Sequence, residues 1–175
     1  MTGGIAAYKA AELVSRLVRQ GASVTVVMTA AAQRLVGPAT FESLSRGPVV
    51  TDLWDRAQAI QPAHIALSEQ AEVLAVAPAT ANFLGKLAHG LADDALSCIA
   101  LAAPCPVVLA PAMNDRMYAH PAVQANVALL RKRGCRIVEP EAGRLASGRI
   151  GGPGRLAPLD QVVEAIEKAL EPKDA

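Results

Sequence analysis

The chain has 175 residues and a formal net charge of +1, enough for one domain with a real core. This charge does not favour nucleic acid as a partner, because phosphate binding needs a basic face. Apolar residues make up 52% of the chain but aromatic residues only 3%, so small side chains must pack closely, as in parallel βαβ layers. We find no signal peptide and no run that could span a bilayer, so no membrane partner is expected.

The three cysteines are odd in number and lack the spacing of metal ligands. They are Cys98, Cys105 and Cys135. We therefore expect no metal site and reduced thiols, which is typical of a cytoplasmic chain. Cys98 and Cys105 have apolar neighbours, so we predict that they fill the core.

A glycine turn opens the chain. Residues Thr2–Gly4 lead directly into an amphipathic helix that ends at Gln20-Gly21, and such a turn lets backbone N–H groups approach a phosphate. A turn of this kind normally follows a strand, and none precedes it here. We expect that the first strand is missing because a segment lies upstream.

A buried strand is predicted over Ser23–Met28. Thr29 follows at its carboxyl end, where ligands collect in open α/β sheets. Thr29 is therefore either a ligand-binding residue or the N-cap of a helix over Ala30–Leu35.

The next segment gives weaker signals. Ala39–Ser45 is typical of a short helix and Val49–Val50 of an edge strand. Trp54 is interpreted as a plug in the core or in an interface. His64 precedes the central strand, and a lone histidine there is either structural or a general acid or base.

The central stretch begins with the uninterrupted apolar run Val73–Ala77, which predicts a strand buried on both faces and broken at Pro78. Thr80 and Asn82 follow, and helical spacing resumes at Leu84. A strand, a polar turn and a helix N-terminus form a common anion site. The same residues also fit an ordinary turn in which Thr80 caps the helix.

Two further polar sites follow. Asp93 and Asp94 precede a predicted helix over Leu96–Ala102, where they either favour the helix dipole or contact a ligand. The buried strand Pro106–Ala110 leads into Pro111–Asn114, which again places a polar residue just beyond a strand.

The last third of the chain is predicted to contain a helix over Pro121–Arg133, a strand over Cys135–Val138 and a C-terminal helix over Leu159–Leu170. Between them, Gly143–Arg155 is rich in glycine and arginine. We expect it to be mobile, either as a plain surface loop or as a lid whose arginines bind an anionic substrate. The whole chain, residues 1–175, is predicted to be one α/β domain with a three-layer, doubly wound parallel sheet.

Four segments together resemble the homo-oligomeric flavin-containing cysteine decarboxylases, in the right order and over nearly the whole chain. The segments are Thr2–Lys9, Pro78–Asn82, Pro111–Asn114, and Ala146–Gly148 with Gly154–Arg155. The resemblance implies a Rossmann-like flavoprotein fold with non-covalently bound FMN. It also implies a homotrimer or homododecamer with the flavin between subunits. The cofactor-binding residues implied by it are Thr2, Gly3, Gly4, Thr29, Pro78, Ala79, Thr80, Ala81, Asn82 and Asp93.

The Pro-Ala-Met-Asn segment with a preceding histidine is similar to family members that decarboxylate phosphopantothenoylcysteine in coenzyme A synthesis, often fused to phosphopantothenoylcysteine synthetase. In such members, transient oxidation of the substrate thiol to a thioaldehyde creates an electron sink, and reduced flavin later returns the hydride. The resemblance implies catalytic roles for His64 as base, Asn114 as carboxylate-orienting residue and Ser147. The substrate-binding residues that it implies are Ala112, Met113, Asn114, Arg144, Arg149 and Arg155.

One departure keeps more than one function open. Ser147 stands where the family commonly has a proton-donating cysteine, and a hydroxyl is a much weaker acid than a thiol. Release could stop at an oxidised enethiol, which resembles the peptidyl-cysteine decarboxylases. The chain could also be a flavin prenyltransferase, although that enzyme lacks the Pro-Ala-Met-Asn segment, or a non-catalytic flavin-binding regulatory subunit.

Overall fold

A computed structural model of the chain describes residues 1–54, 63–144 and 150–171, and for Ala63 and His64 it describes the backbone alone. In these ranges the helices are α1 Ala7–Arg19, α2 Ala30–Gln33, α3 Pro38–Ser45, α4 Ala63–Gln70, α5 Ala81–His89, α6 Ala95–Ala102, α7 Asp115–Tyr118, α8 Pro121–Lys132 and α9 Leu159–Leu170. The strands are β1 Val26–Val27, β2 Val49–Val50, β3 Leu74–Ala79, β4 Val107–Pro111, β5 Arg136–Ile137, β6 Glu141–Arg144 and β7 Ile150–Arg155.

The main strands are parallel. β1 pairs with β2, and β4 lies between β3 and β5. Alternate residues of β4 point to opposite faces: Val108 and Ala110 pack with α1 and α9, whereas Leu109 packs with α5, α6 and α8. Helices therefore cover both faces, and the predicted three-layer, doubly wound parallel fold is confirmed.

Met1 and Thr2 connect the two groups of strands. The Met1 amine nitrogen donates to Val27 O at 2.6 Å, and Thr29 N donates to Met1 O at 3.2 Å. On the other side, Thr2 N donates to Pro78 O at 3.2 Å. These bonds follow a parallel ladder and place the glycine turn that follows Thr2 in the middle of the sheet's carboxyl edge. The prediction of a missing first strand stays a prediction.

The predicted helices and their ends agree well with the structure, because capping chemistry is explicit in the sequence. Gly21 and Gly134 have φ values of 90° and 92° just beyond α1 and α8, a conformation that glycine adopts at little cost. Within the described ranges, no helix has the length and apolar character needed to cross a bilayer.

The central strand runs further than predicted. β3 continues through Pro78 to Ala79 because the strand register shifts between Val76 and Ala79, so the proline, which has no N–H, sits at an irregularity. Ala79 O then accepts from Ala112 N at 3.1 Å. The predicted break at Pro78 is therefore wrong by two residues.

Three further predictions need correction. Within Gly143–Arg155, the described residues belong to the antiparallel strands β6 and β7, so that part is not a plain loop. Trp54 is 80% exposed, in a turn where its backbone N–H donates to the Asp52 side chain, so it does not fill the core; its other predicted place, in an interface, stays a prediction. Cys98 and Cys105 are free and half-buried, so they border the core and do not fill it.

Candidate functional site

A cleft of about 1030 Å³ lies at the carboxyl edge of the parallel sheet. It is formed by the turn after Thr2, the starts of α1, α2 and α5, the loop after β4, and β6 and β7. It brings together most of the residues predicted from sequence to bind a cofactor or a substrate. These are Thr2, Gly3, Gly4, Thr29, Thr80, Ala81, Asn82, Asp93, Ala112, Met113, Asn114, Arg144 and Arg155.

The glycine turn places the start of α1 against the cleft. A Cβ on Gly3 would lie 2.4 Å from Ala31 Cβ and 2.6 Å from the Ala31 carbonyl carbon, so the close approach of α2 requires glycine there. The N-cap of α1 is Ala6, which makes no side-chain capping bond, and the first turn has no acidic residue. Backbone bonds already use the N–H groups of Gly4, Ala7 and Lys9, so it is mainly the positive end of the helix dipole that suits a phosphate here.

Beneath this turn, Thr2 links two backbone segments through hydrogen bonds of its side chain. Its side chain is buried, and its hydroxyl donates to Pro78 O at 2.8 Å and accepts from Thr80 N at 2.9 Å. Both hydrogen-bonding roles of the hydroxyl are thus used within the protein. Pro78 and Ala79 do not line the cleft: they lie in β3, and Pro78 Cγ would be 4.0 Å from a Cβ on Gly4. They support the turn from behind.

Thr29 and Thr80 both cap helices, which is one of the two roles that the sequence predicted for each. Thr29 Oγ1 accepts from Ala32 N at 3.3 Å, and Thr80 Oγ1 accepts from Phe83 N at 3.4 Å. Neither bond uses the hydroxyl proton, so each threonine can cap its helix and still donate to a bound anion or carbonyl. Asn82 lies in the first turn of α5 with an exposed side chain on the cleft.

An ion-paired cluster forms one side of the cleft. Lys86 Nζ lies 2.5 Å from Asp93 Oδ1 and 2.9 Å from Asp94 Oδ2. Asp94 also caps α6 in a reciprocal capping box with Ser97. Burial alone would lower the pKa of Lys86, but the hydrogen bonds to both carboxylates outweigh it and raise that pKa. The cluster is therefore charged and fixes the loop between α5 and α6.

The loop after β4 presents Asn114 at the opposite side. Asn114 Oδ1 accepts from Arg116 N at 3.0 Å and so caps α7, while the side chain stays exposed on the cleft. Its amide NH₂ group is not used in this cap and can donate to a carboxylate. Tyr118, at the end of α7, donates to Glu139 Oε2 at 2.8 Å. Burial and this bond raise the pKa of Tyr118 to about 12, so α7 is held by a neutral phenol.

Some predicted site residues cannot be located in the cleft. The side chain of His64 and the residues Ser147 and Arg149 lie outside the described part of the chain.

Other residues of the cleft were missed by sequence reasoning. Lys9 and Lys86 add positive charge, and Ile5, Tyr8 and Met117 add exposed apolar surface. The one sequence feature that pointed to Lys9 and Tyr8 as cleft residues was their position in the segment Thr2–Lys9.

A sheet edge of this kind, with small polar turns and the start of a helix on it, is typical of α/β proteins that bind phosphorylated ligands. The family model described as Flavoprotein matches residues 1–171. The chain therefore belongs to the flavoprotein family, which implies a flavin cofactor.

Two relatives bear on its function. The coenzyme A biosynthesis bifunctional protein CoaBC of Bacillus subtilis (strain 168) is 48% identical over 96% of this chain and 41% of its own length. The probable phosphopantothenoylcysteine decarboxylase of Streptococcus mutans serotype c is 44% identical over 97% of this chain and 96% of its own length. The chain thus spans about two fifths of the bifunctional relatives it matches.

Two solved structures share the fold. The FMN-dependent cysteine decarboxylase SpaF has a TM-score of 0.83 and 40% identity, over 97% of this chain and 94% of its own. A PPC decarboxylase mutant complexed with pantothenoylaminoethenethiol also has a TM-score of 0.83, at 30% identity over 95% of this chain and 93% of its own.

Proposed function

We propose that the chain catalyses FMN-dependent decarboxylation of 4'-phosphopantothenoylcysteine to 4'-phosphopantetheine in coenzyme A biosynthesis. The observation that carries this proposal is the meeting of Gly4, Asn82 and Asn114 in one cleft. The names of the two relatives support the choice of substrate. A cytoplasmic location belongs to the same proposal, and the three free cysteines suit it.

The residues that line the cleft are chemically suited to FMN. The positive end of α1, with Gly3, Gly4 and Thr29, would hold the phosphate. Thr80, Ala81 and Asn82 would line the flavin ring, with Asp93 nearby. Pro78 and Ala79 would support these residues from behind, and Thr2 would hold the turn in place through its hydrogen bonds. Bound flavin supplies a reversible two-electron oxidation of the substrate's thiol side chain, which makes loss of its carboxylate feasible.

The substrate residues have separate tasks. Asn114, next to Ala112 and Met113, would donate to the leaving carboxylate and orient it. Arg144 and Arg155 line the same cleft and have no carboxylate partner among the described residues, so they are available for the substrate phosphate, together with Arg149. His64 would remove the thiol proton as general base.

The first test measures whether the protein binds FMN and whether it releases CO₂ from the substrate. Purified protein is expected to be yellow and to release FMN on denaturation, and His64→Asn is expected to abolish CO₂ release while flavin stays bound. Phe41→Leu, a volume-reducing change in the core under α3 that lies outside the cleft, serves as a control for general destabilisation. Colourless protein that takes up no added FMN would contradict the cofactor, and full turnover by His64→Asn would remove the histidine from the mechanism.

A second candidate function is peptidyl-cysteine decarboxylation, which Ser147 favours because it stands in place of the family's proton-donating cysteine. The product mass separates the two candidates. Loss of CO₂ alone means that a reduced phosphopantetheine is released and that protons come from a group other than a cysteine at position 147. A product with two fewer hydrogens is the oxidised enethiol. No product from either substrate would indicate a non-catalytic flavin-binding subunit.

The assembly is also a proposal. We propose a homo-oligomer, a trimer or dodecamer, with a fused or separate phosphopantothenoylcysteine synthetase as functional partner. Names of bifunctional relatives support the synthetase. Exposed apolar side chains on the cleft rim support the oligomer.

A further inference from the structure

Lys86 is a cleft residue to which the proposed function assigns no task. It lies on α5 four residues after Asn82, and side chains with this spacing share one face of a helix. Both residues line the cleft. The Lys86 side chain is only 16% exposed, so its charge lies within the cleft wall, one helical turn from Asn82.

Two carboxylates surround the Lys86 ammonium group, and they differ in what else they do. Asp94 Oδ2 lies 2.9 Å from Lys86 Nζ, while Asp94 Oδ1 accepts from Ser97 N at 2.8 Å and so caps α6. Asp93 Oδ1 lies 2.5 Å from the same nitrogen, but the Asp93 side chain is 67% exposed and precedes the N-cap. The charge of Asp93 can therefore be removed without removing the cap of α6.

The cluster of Lys86, Asp93 and Asp94 has a net charge of −1, because one ammonium group faces two carboxylates. The hydrogen bonds that raise the pKa of Lys86 keep the ammonium group protonated at neutral pH. Lys86 is more buried than Asp93, and water and salt screen a buried charge less than an exposed one. The two charges should therefore act on a bound ligand with opposite sign and unequal strength.

We propose that Lys86 and Asp93 set the reduction potential of the bound flavin: the lysine favours the reduced form, and the aspartate favours the oxidised form. Reduction adds electron density to the flavin ring, so a positive charge beside the ring stabilises the reduced form. The inference rests on the proposed function, in which Thr80, Ala81 and Asn82 line that ring. In that function the substrate gives two electrons to the flavin and later takes two back, so a balanced potential serves both steps and no outside oxidant is consumed.

A second ion pair provides matched controls. Lys168 Nζ lies 2.6 Å from Glu164 Oε1 on α9, and neither residue lines the cleft. Substitutions in this pair remove the same kinds of charge outside the proposed flavin site.

The reduction potential of bound FMN is measured by reductive titration against a reference dye. Lys86→Gln is expected to lower the ratio of the affinities for reduced and oxidised FMN about tenfold, which is a drop of about 30 mV for two electrons. Asp93→Asn is expected to raise the potential by a smaller amount, because the charge of Asp93 is better screened. Lys168→Gln and Glu164→Gln should leave the potential unchanged.

The opposite signs separate the effect of charge from structural damage, because damage to the cleft does not depend on the sign of the charge removed. Lys86→Arg keeps the charge and should keep the potential of the unchanged protein. Shifts of the same sign in Lys86→Gln and Asp93→Asn, or equal shifts in the control variants, overturn the proposal. If Lys86→Gln does not fold, Asp93→Asn decides alone, and a potential no higher than that of Glu164→Gln overturns it.

The potentials are measured without substrate, so they test the two charges independently of decarboxylation. If the protein shows the opposite shifts but releases no CO₂ from phosphopantothenoylcysteine, the proposed substrate is wrong and the role of the charges stands. If it releases CO₂ and the potential does not shift, the proposed function stands and this inference is wrong. Protein that takes up no FMN contradicts both.

Discussion

Thr2 joins the two backbone turns that form the floor of the cleft. One hydroxyl connects the segment before α1 to the segment before α5, which are 78 residues apart in the chain. At this buried position, 2% exposed, removal of the hydroxyl leaves Thr80 N without an acceptor, and an unsatisfied buried amide is costly.

We expect Thr2→Val, which keeps the shape and removes the hydrogen bonds, to lower the free energy of unfolding by about 1–3 kcal/mol. Urea denaturation of the flavin-free protein measures this change. Thr40→Val, on the exposed first turn of α3, makes the same chemical change at the surface and should lie within about 0.5 kcal/mol of the unchanged protein. If the two variants are equally stable, the hydrogen bonds of the Thr2 hydroxyl do not stabilise the fold.

At the level of single residues, sequence reasoning found the polar groups but not how they are used. Thr80 and Asn114 were predicted because each follows a buried strand, and both lie on the cleft. The role of Thr2 was not foreseen, since its partners Pro78 and Thr80 are distant in sequence. Lys86 was also missed, because it reaches Asp93 and Asp94 only after α5 ends and the chain reverses.

Helix α6 begins with a capping box that is also part of the cleft wall. Burial alone would raise the pKa of Asp94, but hydrogen bonds from Lys86 and from the Ser97 amide and hydroxyl together outweigh it and lower that pKa. A carboxyl group whose pKa is lower when folded binds fewer protons in the folded state. Its contribution to stability is therefore present above the unfolded pKa and is lost as the pH falls through the folded one.

We accordingly expect Asp94→Asn to be less stable than the unchanged protein by about 1 kcal/mol at pH 6, because asparagine caps a helix about as well as aspartate but carries no charge to pair with Lys86. The stability difference should narrow as the pH falls below the ordinary pKa of aspartate, about 3.9, toward the lower pKa of folded Asp94. Urea unfolding at several pH values between 3 and 6 measures it. Asp160→Asn, which alters an exposed ion pair on α9, should show only a small difference throughout. If the difference in free energy of unfolding between Asp94→Asn and the unchanged protein stays constant with pH, the charge of Asp94 does not contribute to stability.

Elements with strong periodicity or explicit caps were predictable, and elements that depend on distant pairing were not. α1, α5 and α8 follow from their apolar spacing and end signals. β6 and β7 were missed because glycine and arginine give no alternating pattern, and their pairing satisfies backbone groups without a buried face. Docking of β7 on the loop after β4 then depends on Gly154, whose role appears only when the two segments meet.

On the scale of the whole molecule, the cleft has an apolar rim that the chain itself leaves exposed. Ile5, Tyr8 and Met117 line the cleft and are 68%, 64% and 50% exposed. Large apolar side chains grouped beside a binding site are typical of a surface covered by another protein or by a ligand. Ile5 and Tyr8 also flank the start of α1, where we propose that the cofactor phosphate is held.

If another copy of the chain covers this rim, assembly and flavin binding are linked by mass action. We expect the protein to sediment as a species larger than the 18.1 kDa chain, and Tyr8→Glu to shift it toward the monomer, because the interface would have to bury an unpaired charge. The same variant should bind FMN more weakly. Analytical ultracentrifugation with flavin absorbance follows both quantities in one experiment.

Leu101→Glu is the matched control, because Leu101 is also exposed but lines a separate depression at the opposite edge of the sheet, beside Cys105 and Cys135. It should change neither sedimentation nor flavin content. A monomeric protein that binds FMN fully would show that the rim faces ligand alone. If Leu101→Glu dissociates the oligomer and Tyr8→Glu does not, the interface lies at the amino edge of the sheet. Assembly would then be independent of the cofactor site.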